Sequence, residues 1–156
     1  LFKLLINFTK SFSFLSFFNI SASFILLVTG LAKIWSSFGS KGILAELDPV
    51  TGISFAWLLL LIGLIELLLS GICYYYRSRL LPCFLVGWLS LNFLLYRLAL
   101  VSIGWRRPCS CLGNLTDAIH LAPELADTLM QYILAYLLIG SGIALYFFIY
   151  LKSSKK

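Results

Sequence analysis

Two cysteines one residue apart, Cys109 and Cys111, stand in the polar segment Arg106-Arg107-Pro108-Cys109-Ser110-Cys111-Leu112-Gly113-Asn114. Their chemistry depends on the compartment they face. In a reducing cytosol such a pair suggests a metal site or inert thiols, whereas on an oxidising face it can form a labile disulfide that exchanges with partners. A disulfide closed across a single residue is strained, and strain makes it easier to reduce. Arg106 and Arg107 would favour the thiolate and lower its pKa, and Gly113 permits a turn that exposes the sulfurs. The competing reading is a static local staple. A metal site would need His120 as a third ligand and Asp117 as a fourth, without the second CxxC or paired histidines of ordinary zinc spacing. No metal is therefore expected.

Ionisable residues inside apolar stretches form the second group, since each is costly in lipid unless paired or hydrated. Glu66 and Arg97 are the clear cases, and Lys33 follows Gly30 by three residues near the end of the first apolar run. Counting depth at about 1.5 Å per residue separates Glu66 from Arg97 by about 9 Å, a gap that long side chains nearly bridge. A Lys33–Glu66–Arg97 cluster beneath the cysteine segment is the expectation. Its alternative is a packing ion pair, with Lys33 reaching to the interface. Cys73 and Cys83 flank a tight turn and are expected to be buried packing thiols.

These residues must be carried by membrane helices. The chain of 156 residues is 61% hydrophobic and 12% charged, with a mean hydropathy of +0.99, far above the roughly 45–50% apolar content of a soluble domain. A bilayer core about 30 Å thick takes about 20 apolar helical residues. Four stretches qualify, at about 13–35, 53–76, 82–104 and 129–151. Runs such as Leu58–Leu61 argue against barrel alternation. The expected fold is all-α, a single integral membrane domain over 1–156 built as a four-helix bundle with short loops. Turn chemistry separates the spans: Asp48-Pro49 and Gly52, then Arg77–Arg79 with Pro82, then Gly104 and Pro108. Pro123, Glu124 and Asp127 suit the start of the last helix, and Thr116 and Asp117 could cap a short interfacial helix before it. The first run is too long for a signal-peptide core and lacks a cleavage pattern, so it is expected to be retained.

Charge orients the bundle. Lys3, Lys10, Arg77, Arg79, Lys152, Lys155 and Lys156 fall on one side with no acidic residue. The other side holds Lys41, Arg106 and Arg107 among five acids, with Lys33 at its edge. The positive-inside rule places both termini in the cytoplasm and the Cys-x-Cys segment, residues 105–122, outside. A bacterial inner membrane is the expected location. The net charge of +6 is accounted for by this topology, so no nucleic-acid partner is inferred. Trp35, Trp57 and Trp105 should lie near the outer interface, with Trp88 and Tyr74–Tyr76 toward the inner one. Of three Asn-x-Ser/Thr sequons, at Asn7, Asn19 and Asn114, only the last is expected outside.

This pattern resembles the MauE/DoxX-like family of redox-associated membrane proteins. The resemblance spans about the whole chain and rests on four short-looped helices, Gly30-x-x-Lys33, Glu66, and Pro108-Cys109-Ser110-Cys111-Leu112-Gly113; family members often carry Gly and Phe where this chain has Ser110 and Leu112. It implies extracytoplasmic thiol chemistry, with Cys109 and Cys111 as the redox pair and Lys33 and Glu66 as intramembrane polar positions. It also implies a thioredoxin-like partner, with links to quinone or to maturation of a disulfide-containing protein. No cofactor is certain, and quinone is the one to consider. The alternative is a non-catalytic accessory subunit of a larger membrane complex, with the cysteine pair as a loop staple. A transporter is disfavoured by the lack of inverted repeats.

Overall fold

The computed structural model describes residues 2–39, 44–104 and 123–153. Four helices make up the architecture: α1 (Phe2–Ser37), α2 (Phe55–Tyr75), α3 (Leu81–Ser102) and α4 (Pro123–Ser153). Among the described residues there is no strand, only an isolated antiparallel bridge between Leu47 and Ser54. All four helices contain stretches long and apolar enough to cross a bilayer: Ser13–Ser37, Phe55–Tyr75, Leu81–Ser102 and Asp127–Phe147. The chain is an all-α integral membrane four-helix bundle. One boundary extends the sequence reading: α1 begins at Phe2, well before its apolar span from Ser13. The acidic turn after Pro123 is continuous with the last span, as its residues suggested.

Successive helices run antiparallel. The end of the bundle where α1 and α3 finish is called distal, and the end with the α2–α3 turn proximal. α1 and α2 pack closely at Gly30 and Gly63. A Cβ on Gly63 would lie 2.9 Å from the Gly30 carbonyl oxygen and 2.7 Å from Cγ1 of Ile34, so only hydrogen fits. Such small-residue contacts drive association in lipid, where apolar burial offers little. Two turns toward the proximal end, Ser23 and Ser70 each donate to the other's backbone carbonyl, at 2.9 and 2.8 Å. α3 meets α4 where Gly87 faces Ser141, and α4 meets α1 where Gly140 accommodates the ring of Phe18.

The proximal turn is held from α1. Asn19, fully buried, donates from Nδ2 to the carbonyls of Arg77 and Arg79 at 2.8 and 3.1 Å. Its Oδ1 accepts from the Cys83 thiol at 3.2 Å. Cys73 and Cys83 are free thiols at zero exposure within one apolar cluster that includes Phe18, Leu26 and Val86, as expected of packing cysteines. Trp35 and Trp57 are exposed at the distal end, and Tyr74, Tyr75 and Trp88 toward the proximal end; Trp105 lies outside the described residues.

Candidate functional site: a buried ion pair and a cleft in the distal half

Helix geometry explains how Lys33 reaches Glu66. Cα–Cβ bonds tilt toward a helix's N-terminus, so in antiparallel neighbours the Lys33 side chain leans proximally and that of Glu66 distally. The glycine contact brings the backbones close enough for them to meet. Lys33 Nζ donates to both oxygens of Glu66 at 2.8 Å, with side-chain exposures of 5% and 2%. The ammonium also lies 5.7 Å from the centre of the Phe93 ring on α3, within cation–π range. A lone charge here would be prohibitive, whereas the bidentate pair is electrically neutral as a unit.

Arg97 does not join this pair. It bonds Asp127 in the first turn of α4, with both side chains about a quarter exposed, while Gln131 donates to the other oxygen of Asp127 at 3.0 Å. Glu66 already has an ammonium on both oxygens, so the nearer unpaired acid takes the guanidinium. The expected three-residue cluster is thus two separate pairs on different helix interfaces.

The α1–α2 loop contributes a buried carboxylate. Asp48 is 1% exposed, and its Oδ1 accepts from the backbone N–H of Val50 and Thr51 at 3.0 and 2.7 Å and from the Thr51 hydroxyl at 2.9 Å. This is the Asx-turn geometry that Asp before Pro favours, completed by Gly52 at φ 70°. Its Oδ2 accepts from the hydroxyl of Tyr96 on α3, which ties the loop to the far hairpin. Burial pushes the Asp48 carboxyl up, but the hydrogen bonds from Tyr96, Thr51 and Val50 outweigh it, and the net direction is below the ordinary 3.8. The sequence reading took Asp48 only as a turn signal. The Asp-Pro-x-Thr spacing could have shown its role as acceptor; nothing local pointed to Tyr96.

Between the four helices lies a small cleft of about 30 Å³, room for about one water molecule. Its walls are apolar except for Thr29, Glu66 and Ser90. Every buried side-chain nitrogen and oxygen among the described residues has a hydrogen-bond partner. Among the described residues no group of His, Cys, Asp and Glu could hold a metal.

Cys109, Cys111, Arg106 and Arg107, with the alternative metal ligands His120 and Asp117 and the short helix expected after Thr116, lie outside the described residues. α3 ends at Ser102; Gly104, two residues on, has a φ of 73° that suits a glycine past a helix C-terminus, and Cys109 follows Gly104 by five residues. Comparisons with protein-family models, with curated proteins and with solved structures find no match.

Proposed function

We propose that this protein is a membrane component of extracytoplasmic thiol–disulfide chemistry, exchanging electrons through Cys109 and Cys111 with a thioredoxin-like partner. The observation that carries the reading is the Lys33–Glu66 pair. Gly-x-x-Lys and a lone intramembrane Glu are weak signals separately, but here they are one built site. It sits toward the end of the bundle where α3 finishes. Both belong to the pattern that resembles the MauE/DoxX-like family. The charge distribution supports cytoplasmic termini and an extracytoplasmic cysteine segment in a bacterial inner membrane.

In the exchange, a thiolate of the reduced pair attacks a sulfur of the partner's disulfide, forming a mixed disulfide and releasing a partner thiolate. The second cysteine thiolate then attacks the mixed disulfide. This leaves Cys109 and Cys111 oxidised and the partner a dithiol, two electrons having passed to the partner; the reverse sequence reduces the pair. Arg106 and Arg107 favour the attacking thiolate.

Cys109→Ser and Cys111→Ser variants should each accumulate a mixed disulfide, resolved by reductant and identified by mass spectrometry. Differential alkylation across redox buffers should show the wild-type pair changing state. A pair that stays fully oxidised or fully reduced at every poise overturns the exchange reading. A pair that stays oxidised would support an accessory subunit with a stapled loop, a reading favoured by the broad apolar side of α3 at Phe84, Trp88, Leu95, Leu98 and Val101, all more than half exposed and available to lipid or a membrane partner.

A further inference from the structure

An amide side chain faces lipid at the middle of α3. Of the four membrane stretches, that of α3 is the least covered, with 11% buried against 22–39% for the others. Asn92 stands on its exposed side. It follows Leu81 by 11 residues and precedes Ser102 by 10. At about 1.5 Å per residue it therefore lies about 15 Å from either end, the middle of a hydrocarbon core about 30 Å thick. Its Nδ2 donates to the Trp88 carbonyl of its own helix at 2.8 Å. One N–H and the lone pairs of Oδ1 are left without a partner among the described residues, in a medium that supplies neither donor nor acceptor. The other described side-chain amides are used within the bundle. Asn19 holds the proximal turn and the Cys83 thiol, and Gln131, four residues into its span, bonds Asp127.

The surroundings of Asn92 are periodic. Leu81, Leu85, Trp88, Asn92, Leu95 and Ala99 follow one another at steps of 4, 3, 4, 3 and 4 residues. Leu81, Trp88, Asn92 and Leu95 are exposed, and Leu85 and Ala99 partly so. This is the heptad seam along which two helices wind left-handedly, and a single Asn on such a seam fixes register and strand number. Membrane insertion gives every copy of the chain one orientation, so a two-fold axis between copies runs along the membrane normal and sets each α3 residue against its own counterpart. A carboxamide is its own complement: the free N–H of one Asn92 can donate to Oδ1 of the other. Lipid tails offer no such group, and a different protein would need a polar residue at that same depth. We propose that this face of α3 binds a second copy of the chain in a parallel, symmetric dimer with the two Asn92 side chains hydrogen-bonded at its centre. The contact requires neither Cys109 nor Cys111, so it stands or falls apart from the thiol-exchange reading.

The test reconstitutes the full chain in phosphatidylcholine liposomes and counts subunits per complex by single-molecule photobleaching as the protein-to-lipid ratio is lowered. The wild type should pass from dimer to monomer over that series. Asn92→Leu places an apolar side chain on a lipid-exposed face and should leave thermal unfolding unchanged within a few degrees. It should weaken the dimer about five- to thirtyfold, the range of an interhelical polar contact in lipid, while Asn92→Gln retains most of the affinity. Leu68→Ala, on the exposed side of α2, should change nothing. A photoreactive benzoylphenylalanine in place of Leu95 should join two copies, with the adduct mapped by mass spectrometry to α3 of the second copy. A monomer at every ratio, which leaves lipid as the occupant, overturns the proposal. So does a dimer cross-linked through another helix, wild-type affinity in Asn92→Leu, or, in cell membranes, cross-linking from position 95 to a different protein alone.

Discussion

The α1–α2 hairpin and the α3–α4 hairpin solve the same problem, polar residues in lipid, in opposite ways. In the first, two glycines bring the backbones together, and every polar group named on the interface is matched by one directly opposite: Ser23 with Ser70, Lys33 with Glu66. In the second the contact is looser. Its ion pair is about a quarter exposed, and a small cleft of about 30 Å³ lies beside Ser90. Close backbones at the glycine contact let short and long side chains alike reach a partner on the facing helix.

The comparison can be broken most forcefully at the buried pair. Glu66→Ala strands the Lys33 ammonium at the glycine contact and is expected to cost about 3–5 kcal/mol, measured by reversible unfolding in mixed micelles. A Lys33→Met/Glu66→Leu double variant should recover most of that loss. If the single and double variants are equally destabilised, the cost belongs to packing rather than to an uncompensated charge. Next in size is Gly63→Ala. Its methyl group meets backbone at 2.9 Å, the helices must separate, and a loss of about 1–3 kcal/mol is expected. The same change at Gly142 on α4, where an added Cβ meets nothing within 4 Å, should be nearly silent.

Asp48 links the two hairpins and gives a smaller, pH-dependent effect. Its folded pKa lies below the unfolded 3.8, so its stabilisation is fully present above about that value and is lost as the pH falls through the folded pKa. Asp48→Asn should cost about 1–2 kcal/mol at neutral pH and flatten the acid limb of the stability profile. An unchanged limb would assign acid sensitivity to other carboxylates. Smallest of all, Arg97→Gln removes a partly exposed pair and should cost at most about 1 kcal/mol. A loss as large as that of Glu66→Ala would erase the contrast between the hairpins.

The spans were legible because bilayer thickness imposes a length on apolar runs, and each of the four runs has a helix over it. Lys33 and Glu66 could be nominated as partners because an intramembrane charge demands one. Arg97 was read toward the wrong acid for two reasons: depth counting says nothing about which helix is the neighbour, and Asp127 had been accounted for as a favourable residue at a helix start. Asp48 was legible as a turn residue, since Asx-turn chemistry is local, but its bond to Tyr96 spans 48 residues and leaves no local trace.

The pairing of Lys33 with Glu66 also has an electrical consequence. Two opposite charges 2.8 Å apart at nearly one depth form a short dipole that a transmembrane voltage can barely act on. Glu66→Gln would leave a single positive charge in the field. Moving such a charge across the full potential is worth about 2.3 kcal/mol per 100 mV, so a fold otherwise indifferent to membrane energisation would acquire a voltage-dependent stability through one substitution.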